Sequence, residues 1–320
     1  MEKNQQRRAP RVTIGLPVFN GERYLRKALD SILNQTYTDF ELIISDNAST
    51  DSTSLICSEY ASRDTRIRYY SNRQNLGAAK NHNLVFHRAL GEYFKWAAYD
   101  DILAPHFVEE CVKILDNNSS VILCHCQTGR INEKGELLDI YEFGLRSTTK
   151  TCERFADIIS MRNNAWILLL GLVRSTALRK TPLLESYISA DRNLLAELSL
   201  LGPIHRISGT LFFRREHSQS YTNKSHKNLQ EKLGWWSANK GSGLIFPYWR
   251  VLEAYRRSVK RSPLNWSERQ LCNFEIMKWL MREGWVLMGM DVGLNIMKNK
   301  IIYRFFAPIG RQLIQRAGIK

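Results

Sequence analysis

Apolar residues in the first part of the chain alternate between two arrangements. Val12-Thr13-Ile14-Gly15-Leu16-Pro17-Val18-Phe19 is a β-rich run broken by Asn20-Gly21, after which Tyr24, Leu25, Ala28, Leu29, Ile32 and Leu33 recur at helical spacing. Phe40 to Ser45 reads as a second strand, followed by Asp46-Asn47-Ala48-Ser49-Thr50-Asp51 and a helix through about Arg63. Ile67 to Tyr70 is a third strand; Asn75-Leu76-Gly77 turns into a helix from Ala78 to Leu90; and Tyr93 to Ala97 is a fourth strand. Pro105 opens a helix running to Leu115, and Val121 to Cys126 closes the series. Short buried strands separated by helices predict an α/β fold, a mostly parallel sheet flanked by helices with right-handed crossovers.

Beyond Cys126 the pattern changes. A polar connection from Asn132 to Thr151 contains a turn at Glu133-Lys134-Gly135, and helical material begins near Glu153. Asp191 to Leu200 reads as a helix closed by Gly202-Pro203, and Ile204 to Ile207 with Thr210 to Phe213 reads as a hairpin across Ser208-Gly209. Trp235 and Trp236 are neighbours that cannot face one way on a helix, and Lys240, Ser242 and Gly243 after them read as a loop. From Trp249 onward the spacing is helical. The predicted organisation is a disordered basic tail (1–10), a first half (11–126), a second half (127–220) and a helical C-terminal extension (221–320).

The 320 residues are 44% hydrophobic, enough for one large α/β domain with an appendage. A net charge of +15, from 46 basic and 31 acidic residues, favours anionic partners without choosing among nucleotide phosphates, nucleic acid and an anionic membrane. No recognised nucleic-acid module is present, so no specific nucleic-acid partner is expected. Met1 to Arg11 carries no apolar core of a signal peptide, and the run Ala165 to Val173 is well short of the roughly 20 residues of a membrane span. The basic, aromatic segment Ile301 to Phe306, continuing through Arg311 and Arg316 to Lys320, suits either a peripheral contact with anionic lipid or a packed helix with a solvated basic face. The six cysteines read as reduced, mostly buried thiols of a cytoplasmic protein. Cys124-His125-Cys126 has no second ligand pair at zinc-site spacing and reads as structure.

The candidate chemistry follows the strands. Glu92-Tyr93-Phe94-Lys95-Trp96-Ala97-Ala98-Tyr99-Asp100-Asp101 ends in two carboxylates, placed in a strand-to-helix connection where they either cap the next helix or face a ligand. Asn20 and Glu22, then Asp46 and Asp51, fall at the same end of the sheet if their strands are parallel neighbours. Such a crevice offers hydrogen-bond acceptors to a base and ribose, and carboxylates to a divalent cation on a diphosphate. Neither G-x-G-x-x-G nor a P-loop follows the first strand, which disfavours dehydrogenases and P-loop NTPases.

In order and spacing, these segments resemble family 2 of the GT-A glycosyltransferases. The resemblance covers about residues 11 to 215: Thr13 to Glu22, Leu42 to Asp51, Asn75-Leu76-Gly77 through His82-Asn83, and Gly91-Glu92-Tyr93 to Asp101. It implies a hexosyltransferase-type enzyme that moves a sugar from a nucleoside-diphosphate donor (UDP-, GDP- or dTDP-linked) to a hydroxyl of a glycan or lipid-linked acceptor, with inversion. The implied setting is cell-surface polysaccharide or glycolipid synthesis at the inner face of the membrane. It makes 11–126 the donor half and 127–220 the acceptor half of one GT-A domain.

By the same resemblance Pro17, Phe19, Asn20 and Glu22 border the base and ribose, and Asp46 accepts from the base. Asp51 does likewise or caps its helix. His82 stands where the family often has arginine, with Lys80 nearby as a substitute cation. The family's D-x-D-D reads Ala98-Tyr99-Asp100-Asp101 here, leaving Asp100 as ligand to Mg²⁺ or Mn²⁺ and Asp101 beside it against the donor sugar or diphosphate. The general base falls on Asp191, at the start of the helix in the second half. Two other readings stay open: a sugar nucleotidyltransferase, disfavoured by an acid in the first loop, and a non-enzymatic basic protein that binds nucleic acid.

Overall fold

The computed structural model describes residues 9–146, 148–161, 165–218, 220, 235–236 and 246–298. The N-terminal tail through residue 8, Lys240, Ser242 and Gly243, and the segment from Ile301 to Lys320 lie outside the described residues.

The first half alternates β1 (Val12–Val18), α1 (Glu22–Leu33), β2 (Phe40–Asp46), α2 (Thr53–Arg63), β3 (Ile67–Ser71), α3 (Ala78–His87) and β4 (Tyr93–Trp96). The four strands pair in parallel in the order β3-β2-β1-β4, with Val12 opposite Phe40 and Val18 opposite Asp46. Every residue of β1, β2 and β4 is buried, which is why these strands read as unbroken apolar runs. Parallel pairing brings their carboxyl ends to one edge, and the segments that leave it are the polar ones.

The short strand β5 (Ile102–Leu103) precedes α4 (Phe107–Asn117), so Asp100 and Asp101 join two strands rather than a strand and a helix. His106, not either aspartate, occupies the N-cap of α4. The chain continues through β6 (Leu123–Ile131), β7 (Leu137–Tyr141), α5 (Thr151–Ser160), a 3₁₀ turn (Ala165–Leu170), β8 (Leu172–Arg174), α6 (Ser175–Leu178), α7 (Ala190–Leu201) and β9 (Ile204–Arg215). These strands extend the sheet as β4-β8-β6-β9-β5, with β7 paired to β6 around the turn at Gly135. The boundary between residues 126 and 127 therefore lies inside a strand, and the two halves share one sheet.

The hairpin expected over residues 204–213 is instead one strand. His125 faces Arg206 and Gln127 faces Thr210, so Ile207, Ser208 and Gly209 bulge opposite Cys126, with Gly209 at φ +89° absorbing the excess. A glycine in the left-handed region serves a bulge as readily as a turn, and parallel pairing with β6 decides for the bulge.

The extension comprises α8 (Pro247–Arg261), α9 (Trp266–Trp279), a π-helical turn (Leu280–Gly284) and α10 (Trp285–Lys298). α9 begins with a capping box between Asn265 and Glu268. Both α8 and α9 pack on the second half. Phe155, Tyr255 and Trp279 form a chain of edge-to-face rings, 6.0 Å and 5.4 Å apart, and Arg261 makes a bidentate ion pair with the buried Glu197 of α7.

Candidate functional site

At the carboxyl edge the loops after β1 and β2 are locked to each other. The Asn20 backbone N–H donates to Ser49 Oγ (2.9 Å), and Asn20 Oδ1 accepts from the Thr50 N–H (2.8 Å). Asp51 Oδ2 accepts from the Glu22 N–H at 3.2 Å, while Glu22 Oε2 accepts from the Ser52 N–H at 2.9 Å. Asp51 also accepts from the Thr53 N–H at the start of α2, and these bonds hold its carboxyl below the usual carboxylate range against the opposing effect of burial. Glu22 and Asp51 thus serve as reciprocal braces. Phe19 is exposed above the edge, and Pro17 is a buried residue of β1.

Asp46, at the end of β2, is buried. Its carboxylate accepts from the Ser49 N–H at 3.0 Å and from the Tyr69 hydroxyl at 3.2 Å. Around it lies an amide network absent from the sequence expectations. Asn47 donates to Asn75 (2.9 Å) and accepts from the Leu76 N–H (2.9 Å), while Asn81 accepts from Ser45 and Asn72 and donates to the Ser45 carbonyl. This ties α3 to the edge. Lys80 stands exposed on α3. The His82 ring turns back to the Ala78 carbonyl at 2.8 Å, and burial pulls its pKa down to about 4, so it is neutral at pH 7. It faces the ring of Trp235, 6.2 Å away; Trp235 is exposed and Trp236 buried, as their adjacency required.

Asp100 and Asp101 are separated by environment. The His217 Nε2 lies 2.9 Å from Asp100 Oδ2, and the His217 ring packs on Tyr24 with centroids 4.7 Å apart. Asp101 is buried, with Oδ1 accepting from the Arg215 N–H at 2.9 Å; burial and the neighbouring Asp100 raise its pKa well above the usual carboxylate range. The Arg215 side chain donates to the Asp100 carbonyl (3.0 Å) and to the Asn132 and Glu133 carbonyls, with its guanidinium over Tyr24. The end of β9 therefore clamps the aspartate loop, α1 and the β6–β7 turn together. Gly21 belongs to the same cluster: a Cβ there would lie 2.8 Å from the Tyr99 ring.

His217 and Arg215 escaped the sequence reading because they lie over a hundred positions from Asp100. The available signal was Arg214-Arg215-Glu216-His217, a charged run closing an apolar strand.

Asp191 occupies the first turn of α7 and is half-buried, with Oδ1 accepting from the Arg192 N–H at 2.8 Å. Burial raises its pKa. It is not the cap; that place belongs to Ser189, in the left-handed region at φ +70°. The preceding corner is fastened to α3, since the Asn83 amide donates to the Leu184 carbonyl (2.9 Å) and accepts from the Leu184 N–H (3.1 Å). All four non-glycine residues with positive φ among the described residues (Asn20, Ala48, Leu183 and Ser189) lie in these loops, the expected setting for strain held at a functional site.

Among the described residues no group of three or more His, Cys, Asp or Glu side chains is arranged to hold a metal. The Asp100–His217 pair, one carboxylate oxygen and one imidazole nitrogen, supplies two ligands of a kind that Mn²⁺ accepts. Cys124, His125 and Cys126 are buried, and the His125 Nδ1 is bonded to the Cys126 carbonyl.

The model for "Glycosyl transferase family 2" matches residues 13–166. An uncharacterized glycosyltransferase of Rickettsia typhi, RT0329, is 28% identical over 236 residues, 72% of this chain and 71% of that one. The chondroitin synthase of Escherichia coli is 26% identical over 226 residues, 69% of this chain but only 31% of the synthase. Among solved structures, S. aureus TarS 1-349 in complex with UDP-GlcNAc superposes with a TM-score of 0.62 at 16% identity, covering 85% of this chain and 73% of that one. The mannosyltransferase PcManGT of Pyrobaculum calidifontis, in complex with GDP-Man and Mn²⁺, gives 0.54 at 13% identity, covering 97% and 81%.

The mixed α/β fold, with its mostly parallel sheet flanked by helices, is the GT-A fold of those structures. Residues 13–166, just under half of the chain, carry the match to glycosyl transferase family 2.

Proposed function

We propose that the chain transfers a sugar from a nucleoside-diphosphate sugar to a hydroxyl of a glycan or lipid-linked acceptor, with inversion and with help from a divalent cation. In this reading it acts at the cytoplasmic face of a membrane, in cell-surface polysaccharide or glycolipid synthesis. The observation that carries it is the convergence of Asp46, Asp51, Glu22 and the Asp100–His217 pair on one carboxyl edge, with the corner that leads to Asp191 anchored to α3. The donors named for the TarS and PcManGT complexes and the polymer named for the E. coli synthase support the same assignment.

Phe19, Asn20 and Asp46 border the base and ribose, with Lys80 and His82 on the α3 side. Asp100 and His217 would hold Mg²⁺ or Mn²⁺, which when bound offsets the charge gathering on the departing diphosphate. Asp101, held by Arg215, fixes the direction of Asp100. Ionised Asp191 takes the proton from the acceptor hydroxyl as that oxygen attacks the anomeric carbon. Because Ala98 stands where a further acid would help, two protein ligands bind metal firmly only with the donor's diphosphate present.

A thermal-shift screen of UDP-, GDP- and dTDP-sugars with and without Mn²⁺ or Mg²⁺ tests the reading, since a ligand that binds only the native state raises its stability. The expected result is a metal-dependent rise with one nucleotide class and release of nucleoside diphosphate on turnover. Release of pyrophosphate instead would assign the chain to the nucleotidyltransferases.

A further inference from the structure

Helix α9 is apolar on two opposite faces. Cys272, Ile276 and Trp279 are buried against the second half and α8. On the other side Leu271, Phe274, Met277 and, in the following turn, Met281 are each half or more exposed. An exposed apolar row on a helix whose opposite face is already buried marks an interaction surface. The exposed row continues into α10 with Trp285 and Met290, 64% and 53% exposed. Trp266, at 77%, stands at its start, so tryptophans bracket the α9 portion, and such rings favour the boundary between lipid and water. The Lys278 ammonium lies over the Phe274 ring, 4.7 Å from its centroid, and is paired with Glu275 at 2.8 Å.

Beside this row runs a groove of about 620 Å³ between α8 and α9, lined by Arg250, Arg256, Arg257, Lys260 and Arg269, with Glu253 the one carboxylate. Arg257 pairs with Glu185 and Glu253. Arg250, Arg256 and Lys260 make no ion pair among the described residues. From residue 246 to 320 the sequence has fourteen basic and five acidic residues, and from 292 onward six basic and none acidic. This distribution selects the occupant. Lys278 and Arg282 are paired with Glu275 and Glu283, but a second copy on the same face would set both basic grooves, with Arg250, Arg256 and Lys260, against their duplicates, whereas an anionic bilayer complements them.

We propose that α8, α9 and α10 form a docking face for an anionic lipid bilayer. The exposed row from Leu271 to Met290 enters the boundary between headgroups and acyl chains, and the groove takes the anionic headgroups. The proposal rests on surface chemistry alone and is independent of the sugar-transfer reading.

The test is co-sedimentation of the full chain with vesicles of phosphatidylcholine alone or mixed with phosphatidylglycerol. Binding only to the mixed vesicles, weakened by salt, is expected. Phe274→Glu with Trp285→Glu should lower that affinity by about tenfold or more, and Arg250→Glu with Arg256→Glu should remove the preference for anionic lipid. Thermal midpoints confirm folding, and Leu271→Gln with Met281→Gln is the milder variant should the glutamates unfold the chain. No sedimentation of the unmodified chain, or undiminished binding by folded variants, would overturn the proposal. So would a dimer in light scattering that Phe274→Glu dissociates without any lipid effect.

Discussion

Asp191 is the residue on which the proposed chemistry turns. Asp191→Asn is expected to lower turnover by about 10² to 10⁴ while leaving donor affinity unchanged, because the amide keeps the shape but cannot take the proton. Turnover equal to the unmodified chain would remove Asp191 from the mechanism. Since burial raises its pKa, the acid limb of the pH–rate profile should lie above the usual carboxylate range, with activity falling as pH drops through it. His125 makes a different pH prediction. Burial depresses its folded-state pKa to about 4 from an ordinary value of 6.5, so the unfolded chain takes up a proton first as pH falls. Stability is then whole above pH 6.5 and declines toward pH 4, by on the order of 3 kcal/mol from this group. Urea titrations at the two ends of that window should show a smaller decline in His125→Gln; an identical decline would exclude His125 as its source. At this scale the acids were legible because each follows an apolar run. Their partners were not: Asp100 meets His217, and Asp101 meets Arg215, only after β9 returns alongside β6 and β5.

The elements were legible where apolar period and parallel pairing agree, as in β1 to β4 with their helices. They were misread where a local signal serves two structures. Gly209 marked a turn in the sequence and a bulge in the fold, and two-residue β5 is too short to show a period. The junction of β1 and α1 shows how closely element and site are joined. Gly21 lets the start of α1 sit under Tyr99, and an added Cβ would meet both that ring and Val18 Cγ2 at 2.8 Å. Gly21→Ala is therefore expected to displace the Tyr99–Asp100 segment, weakening donor binding about tenfold while costing about 1–3 kcal/mol of stability. Calorimetric titration with the donor and chemical denaturation measure the two effects. Loss of stability without loss of affinity would mean that the loop accommodates the methyl group without moving Asp100.

For the whole molecule, the question is whether the C-terminal helices are an attachment or part of one folding unit. Their inner surface argues for one unit. Tyr255 and Trp279 are buried together and continue the ring contacts of Phe155 in α5, and the Arg261–Glu197 ion pair joins α8 to α7. α7 also carries Asp191 at its first turn, so the extension supports the helix that presents the proposed base. Trp279→Ala removes a large, fully buried ring and should destabilise the chain by about 3–5 kcal/mol. If the unit is single, far-ultraviolet circular dichroism and tryptophan fluorescence will fall together at a lower denaturant concentration, because opening the extension strips the outer cover from α5 and α7. An earlier, separate transition confined to the extension would instead show that α7 holds its place without it.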